Sequence, residues 1–474
     1  MTRGRRMAAG LYAAMKRRVP AYRRFLQEKG VRATTGFASL PLTDKDTYLR
    51  TYPLPDLCWD GALNTQQATI SATSGSTGEP FYFPRTTQQD LQYAAVAEMY
   101  LRTNFSVHQK TTLYIVGWGM GIWIGGVFSY AAVRMVAERG KYPISIITPG
   151  TNQDEILKAL VKLGPLYDQV IIGGYPPMIK DLIDEGNRRR IPWKRYHVKF
   201  IFSAEGFSET FRDYVIRHAG LPQTLTDTLN HYGTVDLGTM AHETPVSVLI
   251  RRIAADKPEL NTALFGQHHR QPTLAQYIPE LFYFEQHDGR VICSARSGLP
   301  LLRYDLKDTG GVMTFAQIRS ICKKHGVDLP QEIIRAHIEA TVWNVPFVYV
   351  FERSDFTVKL SGANIFPQEV RRALEHETVA AFVTGKCTLE VDVDTHMDQF
   401  LCVHVELKKS VRARSALSRL IRDRIVAALL LSNSEYAYLS KNLPAERTRP
   451  HVKLWPFADT RFFGVSGKHR WVRK

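Results

Sequence analysis

Cysteine is scarce and unpatterned: Cys58, Cys293, Cys322, Cys387 and Cys402 are spread over 474 residues with no CxxC pair. That spacing supplies neither a disulfide framework nor a zinc-ligand set. An uninterrupted apolar run of the roughly 18 residues that a membrane span needs is also missing. The nearest approach, LYIVGWGMGIWIGGVFSYAAV (113–133), is broken by five glycines and reads as a buried strand, a loop and a helix. Acidic residues are in deficit, 45 Asp and Glu against 62 Lys and Arg, for a net charge of +17. Such a balance attracts anions. The basic residues are nevertheless scattered, with mild clusters at 3–24, 187–195 and 447–474, and no RNP motif, zinc finger or tandem repeat accompanies them. A solvated basic surface is therefore expected, with no nucleic-acid partner. The Arg-rich start, MTRGRRMAAGLYAAMKRRVPAYRRF, is followed by no secretory apolar region or cleavage site, so a cytoplasmic location is expected.

The chain is long enough for about two to four domains. Apolar residues at helical spacing mark TQQDLQYAAVAEMYLRTNF, TNQDEILKALVKLGPLYD and PPMIKDLIDEGNRRR, and β-branched runs (SIITPG, DQVIIGG, VKFIFSAE) lie between them. This alternation predicts an α/β domain with mainly parallel strands, whose ligands gather beyond the strand C-termini. After about residue 244 the pattern turns to short strands; in LFYFEQHDGRVICSARSG, HDG is a hairpin turn. From residue 347 a strand, a polar turn, a strand and a helix entered through Pro367 lead into an antiparallel hairpin (KCTLEVDVDTHMDQFLCVHVELKK) and an amphipathic helix (ARSALSRLIRDRIVAALLL). A small α+β domain is expected over residues 355–474, after a large domain over 1–354.

The stretch SATSGSTGEPFYFPRTT (71–87) concentrates glycine and hydroxyl residues ahead of an aromatic strand. Converging backbone N–H groups and rotatable hydroxyls suit a phosphate. It is not a Walker A loop, because no lysine follows the second glycine at the required spacing.

TSGSTGEP resembles instead the phosphate loop of adenylate-forming enzymes, and the later motifs resemble those of the phenylacetate-coenzyme A ligase branch. RRVPAYRRFLQEKGV and LPLTDKDTYLRTYP are similar to that branch's N-terminal segment, GWGMGIWIGG to its Gly/aromatic loop, SAEGFSE to the adenine-contacting turn and HYGTVD to the Tyr-Gly motif. LPLLRYDLKDTG, ERSDFTVKLSGANIFPQEV and GVSGKHR are similar to its ribose-binding segment, its hinge and its catalytic-lysine tail. The motifs stand in the family's order from about residue 18 to the end.

The resemblance implies ATP-dependent activation of a carboxylic acid through an acyl-adenylate, with ATP, Mg²⁺ and coenzyme A taking part. A carrier protein or an amine is the alternative acceptor, a catalytically degenerate nucleotide binder the alternative function, and a homodimer an open alternative. In this reading Thr73, Ser74, Gly75, Ser76, Thr77 and Gly78 wrap phosphate. Ala204, Glu205, Gly206, Asn230, His231, Tyr232, Gly233 and Thr234 bind ATP, with Tyr232 stacked on adenine and Ala204 to Gly206 and Asn230 reading its edge. Asp308 and Arg353 hold the ribose, and Lys468 bridges the carboxylate and the α-phosphate. Asp355 is the pivot and Asp236 holds Mg²⁺. Trp118, Gly119, Trp123, Gly174 and Tyr175 line an acyl pocket suited to an aryl or arylacetic acid. The chain departs from the family at Glu79, where lysine is common, at Val235 in place of a hydroxyl residue, at Asp236 in place of glutamate, and at Glu352 in place of glycine. Residues 311–346 read as an extra helical insertion.

Overall fold

A computed structural model describes residues 2–64, 67–73, 80–122, 124–223, 225–266, 271–353, 357–463 and 472–473, apart from the side chains of Thr2, Glu352, Arg353 and Gln368. The chain divides into two compact units, Met1–Ser71 with Tyr82–Glu352, and Ala72–Phe81 with Arg353–Lys474. No helix among the described residues is long and apolar enough to cross a membrane.

In the large unit, β1 (Ala68–Ala72) and β2 (Tyr82–Thr86) form a two-stranded sheet. The main sheet has eleven strands: β3 (Thr112–Val116), β4 (Ile144–Ile147), β5 (Gln169–Gly174), β6 (Val198–Phe202), β7 (Thr228–Thr234), β8 (Gly238–His242), β9 (Thr273–Gln276), β10 (Phe282–His287), β11 (Arg290–Ala295), β12 (Leu301–Met313) and β13 (Phe347–Arg353). Their order is β10-β11-β12-β13-β9-β8-β7-β6-β5-β3-β4. The stretch β4-β3-β5-β6-β7 is parallel throughout, as the alternating sequence pattern requires. Its two faces are both covered. On one, Tyr114, Val116, Ile171, Ile201 and Leu229 pack with Tyr93, Ala97, Tyr100, Phe128 and Val133 from the helices Thr87–Phe105 and Ile124–Gly140. The intervening residues Leu113, Ile115, Val170, Ile172, Phe200 and Phe202 are equally buried, so these strands read as near-continuous apolar runs.

Beyond the parallel stretch, the pairs β7–β8, β8–β9, β9–β13, β10–β11 and β11–β12 are antiparallel. At the β10–β11 turn Asp288 and Gly289 take φ values of 49° and 73°, the left-handed pair that a two-residue hairpin needs. The segment before β13 forms the helices Phe315–Lys324 and Leu329–Arg335. Their apolar faces share a core with the helices Pro245–Asp256 and Pro258–Phe265.

The small unit is α+β. A hairpin of β14 (Val358–Leu360) and β15 (Ala363–Ile365) precedes the helix Pro367–Leu374. Antiparallel β16 (Val383–Val393) and β17 (Gln399–Leu407) are joined by β18 (His451–Trp455), parallel to β17. The helix Ser415–Ser432 buries Leu417, Ile421, Ile425 and Leu429 in this unit's own core, a spacing of four that places them on one helix face.

Candidate active site

Chain order reverses between β3 and β5, which are neighbours although β4 comes between them in sequence. The crevice beyond the strand C-termini at such a reversal is where open parallel sheets take ligands. Residues 117–120 leave β3 there and Tyr175 leaves β5 as the N-cap of the helix Pro176–Arg188. The two ends are tied by a bond from the Gly117 backbone N–H to the Gly173 carbonyl, 2.8 Å. Gly173 is required for close approach, since a Cβ at this position would sit 2.1 Å from Cη2 of Trp118. Gly174 is equally constrained, because a Cβ there would lie 2.3 Å from Cε of Met178. The Gly119 carbonyl accepts from Gly126 N, 3.2 Å. A Cβ on Gly125 would lie 3.3 Å from Trp118 Cβ and 3.7 Å from the Tyr175 hydroxyl, so these two aromatics flank one glycine. Trp118 is 1% exposed and its Nε1 has no hydrogen-bond partner among the described residues. Four of the five acyl-pocket residues expected from sequence thus converge at the crevice; the fifth, Trp123, lies outside the described residues.

The turn after β6 carries Ala204 in the left-handed region, φ 77°. Its shape is held from behind. Asn230 on β7 donates from Nδ2 to the Glu205 carbonyl at 3.1 Å, and Arg251 donates to the Phe207 carbonyl at 2.5 Å. Gly206 stands against Thr273, whose Oγ1 would be 3.2 Å from an added Cβ. Behind the turn Glu243, fully buried, accepts from Arg212 at 2.8 Å, from Arg251 at 2.6 Å and from the Asn230 backbone N–H at 2.9 Å. Glu209 binds the same two arginines at 2.9 Å each. Burial raises the Glu209 carboxyl, but the facing arginines outweigh it and hold it below the usual range. Paired charges of this kind satisfy one another only as a complete set. Asn230 Oδ1 remains a buried acceptor with no donor among the described residues.

β7 continues through His231, Tyr232, Gly233 and Thr234. The Tyr232 hydroxyl donates to Asp308 Oδ2 at 2.6 Å, and both residues are buried. Gly233 faces the Gly238 carbonyl, which would be 2.6 Å from a Cβ, and Thr234 Oγ1 accepts from Leu237 N at 3.3 Å. Asp236 accepts from the Tyr304 hydroxyl at 2.8 Å and stands 3.5 Å from Lys45 Nζ. Lys45 belongs to the LPLTDKD segment, which is stitched to β12 by Thr43 N to Arg303 O (3.1 Å) and Asp305 N to Thr43 O (2.8 Å). Among the described residues no group of three or more His, Cys, Asp and Glu side chains forms a ready-made metal cluster.

His231 and His242 are register partners on β7 and β8. Tyr100 lies against both rings, at centroid distances of 5.1 and 5.0 Å, and Trp343 meets His242 edge-on at 5.0 Å. Burial pushes both imidazoles down to about 3, with a further push on His231 from His242. His231 Nε2 and both His242 nitrogens have no hydrogen-bond partner among the described residues.

Ser74, Gly75, Ser76, Thr77, Gly78, Glu79, Asp355 and Lys468 lie outside the described residues, as does the side chain of Arg353. The base of the opening loop is described: Thr73 N donates to the Phe81 carbonyl at 3.0 Å, and Phe81 N to Thr73 Oγ1 at 2.9 Å. Sequence reasoning did not single out Glu243, Arg251, His242, Tyr304 or Lys45. One signal was present, two arginines in an otherwise apolar helix, PVSVLIRRIA.

A large mixed α/β unit with a parallel central region, followed by a small α+β unit, is a fold that this chain shares with solved structures of a CoA ligase. Among solved structures the chain is similar to 2-hydroxyisobutyryl-CoA ligase in complex with 2-HIB-AMP and CoA in the thioesterification state. That match has 16% identity, spans 100% of this chain and 88% of that one, and gives a TM-score of 0.64. The same ligase in the postadenylation state with R3-HIB-AMP matches at 15% identity over 99% and 88% of the two chains, TM-score 0.52. Its open conformation with 2-HIB-AMP and CoA matches at 15% over 100% and 90%, TM-score 0.52. No protein-family model and no curated protein matches the chain.

Proposed function

We propose that this protein is an ATP-dependent acid-activating ligase that forms an acyl-adenylate and passes the acyl group to coenzyme A. The observation that carries the reading is the Tyr232–Asp308 hydrogen bond, which joins two motifs of the adenylate-forming pattern. Asp308 has the acceptor pairs to take both ribose hydroxyls while the Tyr232 hydroxyl steadies its carboxylate. Asn230 Oδ1, a buried acceptor without a donor among the described residues, suits the exocyclic amine of adenine, and the main chain at Ala204–Gly206 would lie along the base edge. Tyr232 would stack on the ring. Thr73 to Gly78 and Thr234 are assigned to phosphate, and Arg353 to the ribose.

In the first half-reaction a carboxylate oxygen attacks the α-phosphorus and pyrophosphate leaves; in the second the coenzyme A sulfur attacks the carbonyl carbon, the thiol proton is lost and AMP leaves. Two anions meet in the first step, so Lys468 is assigned to bridge them where charge develops. Asp355 is assigned as the pivot of the 355–474 domain between the two half-reactions. Mg²⁺, when bound, would supply charge neutralisation at the phosphates, and Asp236 would hold it. Lys45, 3.5 Å from that carboxylate, would then also face phosphate. Trp118, Gly119, Trp123, Gly174 and Tyr175 are assigned to the acid, and their flat apolar surfaces favour an aryl or arylacetic group. Coenzyme A is supported by the fold shared with a ligase whose structure holds both an acyl-adenylate and CoA. The net charge of +17 favours an acidic carrier protein as the second reading.

ATP–pyrophosphate exchange with a panel of aryl, arylacetic, fatty and hydroxy acids tests the proposal. Exchange with an aryl or arylacetic acid is expected, and coenzyme A should then consume the adenylate. ATP binding without exchange on any acid would overturn it in favour of a catalytically silent nucleotide binder.

A further inference from the structure

We propose that the large unit carries a separate oxyanion site for a phosphate head group, in a cavity of about 90 Å³ lined by Arg18, Trp59, Thr86, Gln88, Gln89 and Arg296. None of these residues belongs to the adenylate constellation, so the inference stands independently of the function proposed above. The cavity is defined by a fixed indole. Trp59 is 5% exposed, and its Nε1 donates to the Ser297 carbonyl at 2.7 Å. The guanidinium carbons of Arg18 and Arg296 lie 5.2 and 5.1 Å from its ring centroid. The aromatic surface thus holds two like charges at one site, an arrangement that a bound anion relieves.

Charge at the cavity is unbalanced. Arg18 is engaged by Asp60 through Nε at 2.9 Å and Nη2 at 2.6 Å, and Arg17 also acts on that carboxylate. Arg296 has no acidic partner among the described residues. Asp90, in the first turn of the adjoining helix, is already neutralised by Arg85 at 2.6 Å. No carboxylate lines the cavity. Gln89 is oriented as a donor, because its Oε1 accepts from Thr86 N at 3.1 Å and Gly298 N at 2.8 Å, leaving the amide NH₂ for a ligand. Two guanidinium groups and one amide donor match the three terminal oxygens of a phosphoryl group. At about 90 Å³ the cavity has room for the head group, and it opens to solvent on the side where the rest of a larger ligand would lie. The ligand is free phosphate or the phosphomonoester end of a larger molecule whose remainder stays in solvent.

The test is titration calorimetry on the full chain at constant ionic strength, with inorganic phosphate, glycerol 3-phosphate and acetate as probes. Wild type should bind both phosphates saturably and acetate more weakly. Arg296→Gln, a change at an exposed side chain, should raise the phosphate Kd at least tenfold, Arg296→Lys should restore part of the affinity, and Asp308→Ala should leave it unchanged. Tighter binding of glycerol 3-phosphate than of phosphate supports the site and points to a phosphomonoester; the reverse order supports it with free phosphate as occupant. Unchanged phosphate affinity in Arg296→Gln, or acetate binding as tightly as phosphate, would overturn the proposal.

Discussion

Acid should weaken this protein through two histidines that the fold keeps neutral. His231 and His242 fall from an ordinary value of 6.5 to about 3, chiefly because burial penalises the charged ring. In the unfolded chain both rings protonate near the ordinary value. Between these two limits the unfolded state therefore binds more protons, so stability is complete above about pH 6.5 and declines as pH falls toward about 3. Moving from pH 7 to pH 5 protonates each unfolded imidazole almost fully while the folded one stays neutral, which costs about 2 kcal/mol per histidine. The pair accounts for about 4 kcal/mol, a large share of the roughly 5–15 kcal/mol that a domain has. Urea unfolding at pH 7, 6 and 5, compared with a His242→Phe variant, isolates one of the two. Phenylalanine keeps a ring against Tyr100 and Trp343, and it removes two buried nitrogens that have no partner among the described residues. The variant should lose about half of the histidine-linked pH dependence, roughly 2 kcal/mol between pH 7 and 5. An identical pH dependence in wild type and variant would show that His242 is not held neutral by burial, and the reasoning would fail.

Three further outcomes are expected. Gly173→Ala places a methyl 2.1 Å from the Trp118 ring, so urea or thermal unfolding should show a loss of about 1–3 kcal/mol from overpacking, with the KM for the acid rising more than that for ATP. Glu243→Gln leaves Arg212 and Arg251 short of a buried countercharge and should lower the unfolding free energy by about 3–5 kcal/mol; a loss under 1 kcal/mol would mean the network is dispensable. Tyr232→Phe removes a hydrogen bond to a carboxylate, worth about 1.5–3 kcal/mol, and should raise the Kd for ATP about tenfold by calorimetry; Asp308→Ala should raise it further.

Much of the large unit was legible in the chain because local pattern and tertiary role agree there. The runs at 169–174 and 198–202 are buried almost throughout, as central strands of a parallel sheet must be, whereas the run at 144–147 forms the partly exposed edge strand of the same parallel stretch. Asp288-Gly289 marked its hairpin because few residues take two successive left-handed conformations. The hairpin and amphipathic helix of the small unit were readable for the same reason.

The site divides differently. The resemblance to adenylate-forming enzymes singled out Tyr232, Asp308, Asn230, Trp118 and Tyr175 as candidates, because each sits in a short motif similar to one of that family's. It could not show that the Tyr232 hydroxyl closes onto Asp308, 76 positions away, since that bond exists only when β7 and β12 occupy their places in one sheet. Nor could it bring Lys45 to Asp236, set Glu243 between two arginines, or place Arg18 and Arg296 over the same indole. Local propensity and residue chemistry act over a few positions and determined the elements and the candidate groups. Burial, charge pairing and the partners of each polar atom depend on residues distant in sequence, and the tertiary structure alone decided them.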